Sequence, residues 1–374
     1  MSSDNISAIT MPKWGLSMKE GKLLMWLIKE GDDFEKGQEI AEVETEKIAS
    51  AVEAPVSGKL RKIVTENDSV YPVGALLGVA ADETVSDDDI AAFVEKFQAE
   101  FVPPEDDEDE QGSATQVIDV NGLNIRYSER GDGDDTILLI HGFGGDLDNW
   151  LFNHDDLVAR TGKKVIALDL PGHGQSSKSV GDGSLDFFAD TVIGFMKAMN
   201  IKKAHLVGHS MGGAIALNLA SKHGDMVSSL CLICSAGLGK EINIDYLNGF
   251  VSSASRKQIK PYLQQLFANV DLVTRQLINN MLQYKRLDGV DAALQQIRDS
   301  FIDGGSQKLQ LNQALENIAK ACVIWGEKDE IIPASHKDNV KGANIEVVSV
   351  ADAGHMVQME AAKEVNEAIA KTVS

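Results

Sequence analysis

The sequence predicts two domains of different class in one chain, a small all-β sandwich at the N-terminus and a larger α/β domain, joined by an acidic linker. Three observations predict this. Within residues 5–80, short β-branched and apolar runs are broken at close spacing by Gly, Pro, Asn and Asp, the rhythm of a small sandwich or flattened barrel. Between Asp82 and Gln111, thirteen acidic residues stand against one base, Lys96; like charges repel, so such a stretch stays extended. From residue 115 onward, continuous apolar runs alternate with helical periodicity, which predicts buried parallel strands with helical crossovers. A length of 374 residues with 43% apolar content suits two or three domains with real cores.

In the N-terminal domain, Glu30-Gly31-Asp32, Lys36-Gly37, Val56-Ser57-Gly58 and Glu66-Asn67-Asp68 each supply a turn residue tolerant of positive φ. The first and last look like one turn used twice, which predicts two similar halves with Asn67 as the left-handed residue of the second. The segment from Ala41 to Ser50 reads as strand, short exposed turn and strand, with Lys47 at the tip. A lone lysine of this kind is ordinarily a solvated hairpin residue. Here Met11-Pro12-Lys13-Trp14, Lys29-Glu30-Gly31-Asp32, Glu44-Thr45-Glu46-Lys47 and Glu53-Ala54-Pro55-Val56-Ser57-Gly58 resemble a lipoyl domain of the 2-oxoacid dehydrogenase type over the first eighty residues or so. The resemblance implies lipoic acid in amide linkage on Lys47, with Glu44 and Glu46 contributing to recognition by the lipoate-attaching enzyme. The related biotinyl domains would carry methionine on both sides of the lysine; here the flanks are Glu46 and Ile48.

The linker, residues 81–114, is not uniform. Ser86 followed by Asp87, Asp88 and Asp89 reads as a capped helix start with acids on the positive end of the dipole. Ile90, Phe93, Val94, Phe97 and Phe101 then share one face. That stripe either packs on a neighbouring domain of this chain or docks another subunit. Beyond it, Pro103-Pro104 and the run Glu105 to Glu110 have nothing to bury and would let the first domain swing.

In the third region, residues 115–374, strands are expected at Thr136–Ile140, Lys164–Leu168, His205–Val207, Leu230–Ile233 and Cys322–Trp325. Gly208-His209-Ser210-Met211-Gly212 follows one of these and precedes a helix, Gly213 to Lys222. Small residues around Ser210 permit the sharp turn that lifts its hydroxyl above a sheet, and the helix N-terminus favours developing negative charge. His141-Gly142-Phe143-Gly144-Gly145 follows an earlier strand and offers the Phe143 amide beside that of Met211 as an oxyanion hole. Asp329, in Gly326-Glu327-Lys328-Asp329, and His355, in Ala353-Gly354-His355, follow downstream. Asp352 is a rival partner for His355. The order Ser, Asp, His, with Asp169-Leu170-Pro171-Gly172-His173-Gly174-Gln175-Ser176, resembles the α/β-hydrolases. His141, His173 and His209 read as scaffold histidines. Residues 236–318 are expected to form a helical cap, with helices across Ile259–Met281 and Val290–Phe301 and with Met281, Leu282 and Phe301 toward the pocket.

Composition excludes other classes. A net charge of −22 argues against nucleic acid or an anionic membrane as partner. No signal peptide and no stretch of eighteen apolar residues is present, so a cytoplasmic protein is expected. Cys231, Cys234 and Cys322 give no disulfide framework. The Cys231-x-x-Cys234 pair lies in an apolar, strand-like run, and no metal site is expected.

Lipoyl domain, acidic linker and hydrolase-like domain together resemble the dihydrolipoamide acetyltransferase components of bacterial acetoin dehydrogenase complexes. The H-x-x-x-D-G mark of the usual trimeric acyltransferase domain does not occur here, nor does a typical peripheral subunit-binding domain. The resemblance implies an acyltransferase that moves an acetyl group from S-acetyldihydrolipoyl-lysine to coenzyme A, with Ser210, His355 and Asp329 as its triad. The implied partners are a thiamine-diphosphate-dependent acetoin-cleaving dehydrogenase and a flavin dihydrolipoamide dehydrogenase, in an oligomeric complex. Two alternatives stay open: a hydrolase of an ester, thioester or C–C bond tethered to a lipoyl domain, and a non-catalytic lipoyl carrier and scaffold.

Overall fold

A computed structural model describes residues 6–12, 20–44, 49–102 and 115–374. The chain divides into two compact units, Met1–Gln111 and Gly112–Ser374.

The first unit is built from two four-stranded sheets. One runs Ile6–Thr10, Leu76–Ala81, Gly58–Ile63, Asp33–Phe34; the other runs Ala49–Glu53, Glu39–Glu44, Glu20–Trp26, Ser69–Pro72. Every pairing is antiparallel. Ile9, Met11, Leu23, Ile40, Leu60 and Leu77 are buried together in one core, as face-to-face sheets require; Leu76–Ala81 is buried along its whole length. The two halves are related by exchanged bonds. The Gly31 amide donates to Leu60 O, and the Asp68 amide donates to Leu23 O, each at 2.7 Å; Leu27 to Ile40 O is matched by Val64 to Leu77 O. The left-handed residues of the paired turns are therefore Gly31 (φ 96°) and Asp68 (φ 61°). The sequence reading had assigned that conformation to Asn67; the exchange of bonds sets the equivalence one residue later.

The helix Asp87–Glu100 is capped by Ser86, whose Oγ accepts from the Asp89 amide at 3.1 Å. Its stripe packs on this first unit: Ile90 is buried with Leu76, Val79 and Ala81, and Phe93, Val94 and Phe97 lie against the same cluster. Arg61 pins the start, donating to Asp82 O at 2.7 Å and to Asp87 Oδ1 at 2.8 Å. The first part of the segment read as linker is thus folded against a sheet. The acidic run Glu105–Glu110, Lys13, Trp14, Glu46 and Lys47 lie outside the described residues.

The second unit holds an eight-stranded sheet, numbered from its own start: β1 Thr115–Val120, β2 Leu123–Arg130, β3 Thr136–Ile140, β4 Lys164–Leu168, β5 Ala204–His209, β6 Val227–Ile233, β7 Ala321–Gly326 and β8 Ile345–Val350. Their spatial order is β8-β7-β6-β5-β3-β4-β2-β1, with β3 to β8 parallel and β1 and β2 antiparallel. Strands β3 and β7 are buried along their whole length, as expected of parallel strands covered on both faces. Helix Leu185–Ala198 packs on Met211–Lys222, and His154–Thr161 packs on Ala362–Val373.

Between β6 and β7 the chain forms the helices Ile244–Ser252, Arg256–Gln264, Arg275–Lys285 and Val290–Phe301. The helix expected across Ile259–Met281 is interrupted. Asn269 caps a short turn, Val270–Leu272, and Thr274 Oγ1 caps the next helix by accepting from the Leu277 amide at 3.1 Å.

Candidate functional site

The parallel strands all deliver their following loops to one end of the sheet, where α/β folds place their ligands. Ser210 sits between β5 and helix Met211–Lys222 with φ 53° and ψ −116°. A left-handed φ on a residue with a side chain is strained, and such strain marks functional turns. Packing enforces it. The Ser210 amide donates to Ile233 O at 2.9 Å, and its carbonyl accepts from Gly213 and Ala236. A Cβ at Gly208 would run into the Gly212 backbone, and one at Gly212 into the carbonyls of Ile140 and His141. Only glycines let the turn come this close.

His355 follows β8 and is 2% exposed. Its Nδ1 meets Asp329 Oδ2 at 2.8 Å. The other carboxylate oxygen, Oδ1, accepts from the amides of Ile331 at 2.8 Å and Ile332 at 3.0 Å. Burial alone would raise the Asp329 carboxyl; the adjoining imidazole and those two amides outweigh it and hold the carboxyl below its ordinary value. Asp352 is turned to solvent with a side chain 90% exposed, and pairs with Lys328.

His209 Nε2 lies 2.8 Å from the carbonyl of His355, so this nitrogen carries the proton and donates. Burial and the neighbouring His355 push His209 down to about 3, leaving it neutral. His141 is held likewise: its Nδ1 donates to Gly142 O at 2.8 Å and its Nε2 accepts from the Leu170 amide at 3.0 Å. His173 Nδ1 donates to Pro171 O at 2.9 Å. Burial lowers both of these imidazoles. All three stand as neutral braces under the loops. Asp169 joins them: its Oδ1 accepts from Leu147 at 2.9 Å and its Oδ2 from Gln175 at 2.8 Å and Arg126 at 3.2 Å.

Ser210, His355, Phe143 and Met211 open into one cavity of about 100 Å³. The Met211 amide is the first of its helix and has no acceptor within it. The Phe143 ring is wedged against Phe250 of the cap, centroids 5.8 Å apart, and against His173 at 6.3 Å. Apart from Asn149, Arg298 and the two histidines His209 and His355, the wall is mostly apolar, with Tyr246, Leu247, Leu263, Phe267 and Met356 among its residues. Met281 and Phe301 line it; Leu282 does not, and is buried in the core on the neighbouring helical position.

Two further residues lie beside the acid, a place the sequence does not reveal for either. Cys234, at the end of β6 with φ 43°, is buried. One ligand atom each from Cys234, Asp329 and His355 lie within 4.8 Å of one another; the Asp329–His355 hydrogen bond already occupies two of them. Asn243, the N-cap of the first cap helix, bonds to the loop that carries Asp329. Cys234 is the second member of the Cys231-x-x-Cys234 pair, which reads as part of an apolar strand; Asn243 has no sequence motif.

The strands flanking Lys47 pair antiparallel, with Glu44 opposite Ala49, and Glu42 and Glu44 are exposed.

Comparison with known proteins agrees with both units. A family described as "Biotin-requiring enzyme" matches residues 7–80, and one described as "alpha/beta hydrolase fold" matches residues 135–362. A protein of Pseudomonas putida named as the dihydrolipoyllysine-residue acetyltransferase component of an acetoin cleaving system is 51% identical over 97% of this chain and 97% of its own length. One of the same name from Cupriavidus necator is 47% identical over 99% and 98%. The chain belongs to this family of acetyltransferase components. A solved meta-cleavage product hydrolase from Pseudomonas fluorescens IP01 superimposes with TM-score 0.61, covering 69% of this chain and 96% of its own, at 23% identity. That likeness speaks for the fold of the second unit alone. Among the described residues, no helix is long and apolar enough to cross a membrane.

Proposed function

We propose that the chain transfers an acetyl group from S-acetyldihydrolipoyl-lysine, carried on Lys47, to coenzyme A through a covalent intermediate on Ser210. The observation that carries this is the strained Ser210 opening into the same cavity as His355, whose Nδ1 is bonded to Asp329, in a chain of this acetyltransferase family. The lipoyl group supplies the thiol that presents the acyl group as a thioester.

His355 takes the Ser210 proton as Oγ attacks the thioester carbon. The amides of Phe143 and Met211 receive the developing oxyanion. His355 then returns that proton to the departing dihydrolipoyl thiol, leaving an acetyl ester on Ser210. In the second half, His355 deprotonates the coenzyme A thiol, which attacks the ester; the proton passes back to Ser210 Oγ and acetyl-CoA leaves. Asp329 stabilises the imidazolium formed at each half, and its own depressed pKa keeps it ionised to do so.

Water is the competing acceptor. The mostly apolar wall offers few groups to orient a hydrolytic water. A cavity of this size suits a short acyl chain. The expected partners are the thiamine-diphosphate-dependent acetoin-cleaving dehydrogenase that loads the arm, the dihydrolipoamide dehydrogenase that reoxidises it, and the lipoate-attaching enzyme.

The test is a mass-resolved assay of lipoylated protein loaded with an acetyl thioester, with and without coenzyme A. Acetyl-CoA formation lost in Ser210→Ala supports the transfer. Free acetate at equal rates in both conditions makes the protein a tethered hydrolase; acetyl-CoA output unchanged by Ser210→Ala makes it a carrier and scaffold.

A further inference from the structure

The loop that holds Asp329 is itself held, from its other side, by one residue of the cap. The peptide joining Glu330 to Ile331 gives its N–H to Asp329 Oδ1 at 2.8 Å, and its C=O accepts from Asn243 Nδ2 at 2.9 Å. The next peptide, Ile331 to Ile332, gives its N–H to the same Oδ1 at 3.0 Å, and its C=O accepts from the Asn243 backbone amide at 2.8 Å. A trans peptide is planar, with N–H and C=O pointing in opposite directions. Fixing the carbonyl end therefore fixes the direction of the amide end. Asn243 aims both donors that Asp329 receives from this loop.

The same side chain seats the cap. Asn243 Oδ1 accepts from the Tyr246 amide at 2.9 Å, capping helix Ile244–Ser252, and Nδ2 also donates to Gln265 Oε1 at 3.0 Å, at the end of helix Arg256–Gln264. Those two helices contribute Tyr246, Leu247, Phe250 and Leu263 to the cavity wall. The orientation of the amide follows from its partners, since its oxygen meets an N–H and its nitrogen meets a carbonyl.

We propose that Asn243 is a positioning residue that couples the seating of the cap to the orientation of Asp329 and, through it, of His355. This rests on the reading of Ser210, His355 and Asp329 as the triad. Serine is a good N-cap, so Asn243→Ser keeps the helix start while removing both Nδ2 bonds. In the full chain, with a chromogenic acetyl ester as probe, kcat should fall on the order of tenfold to a hundredfold with KM little changed, the cost of a small misplacement at a catalytic group. In an Asp329→Ala background the same substitution should cost nothing further, because the group being positioned is gone. A thermal unfolding curve checks that the variant is folded; should it unfold at the assay temperature, Asn243→Asp, which keeps the cap acceptor, carries the test. A folded variant with kcat unchanged, or with an equal further fall in the Asp329→Ala background, overturns the proposal. If Asp329→Ala itself leaves turnover unchanged, it is the triad reading that fails.

Discussion

The first unit contains no histidine, whereas all eight histidines of the chain lie in the second. The asymmetry reflects two kinds of chemistry. A carrier needs a covalent attachment point on an exposed hairpin, and exposed acids around it for recognition; no proton need move in its core. An acyl-transfer site needs one imidazole that accepts and returns a proton, plus loops held stiffly around it. In this fold the bracing is also done by imidazoles, kept neutral by burial at His141, His173 and His209. Under the proposed mechanism the same residue type serves as reagent at His355 and as scaffold at His141, His173 and His209, distinguished by hydrogen-bond partners.

The largest expected break between the units comes from Ser210→Ala. Acetyl transfer should fall by roughly 10⁴- to 10⁶-fold, while intact mass shows unchanged lipoylation at Lys47; loss of both would mean the units are not independent. The complementary change, Lys47→Arg, should abolish acetyl transfer through the arm and leave turnover of a small acetyl ester intact. A fall in ester turnover would tie the arm to the catalytic site in a way this account does not contain.

Acid should separate the units by stability. His205 and His209 are lowered to about 4 and about 3, mainly by burial, against an unfolded value of about 6.5. As pH falls below about 6.5 the unfolded chain takes up protons that the folded unit refuses. Their contribution is complete above that pH and declines toward pH 4. Calorimetry at pH 7 and pH 4.5 should show the transition of the second unit dropping further than that of the first; equal shifts would contradict the assignment. The smallest effect is local. Ile90→Ala, removing the one fully buried side chain of helix Asp87–Glu100, should destabilise the first unit by about 2–4 kcal/mol and leave ester turnover unaltered.

What was legible in the sequence divides along the same line. The Gly208–Gly212 turn was readable because its geometry demands particular residues, glycines where backbones nearly touch; the turn carrying Lys47 lies outside the described residues. Helix Val290–Phe301 was readable from its period alone. β1, β2 and β8 were not, because strands near a sheet edge mix polar with apolar residues and lack the continuous apolar run of a central strand. The break at Val270–Leu272 had a signal in its caps, Asn269 and Thr274, which the apolar period outweighed. Asn243 left no trace, since two of its partners are backbone carbonyls that any residues would provide.

The most direct test of the account is to trap the acyl group. Protein loaded with acetyl thioester on Lys47 is mixed without coenzyme A, quenched on the single-turnover timescale and digested for mass mapping. The account predicts an acetyl adduct on the peptide containing Ser210, which disappears when coenzyme A is added and never forms in His355→Ala. Acetyl-CoA produced at full rate with no adduct at Ser210 at any time would contradict it.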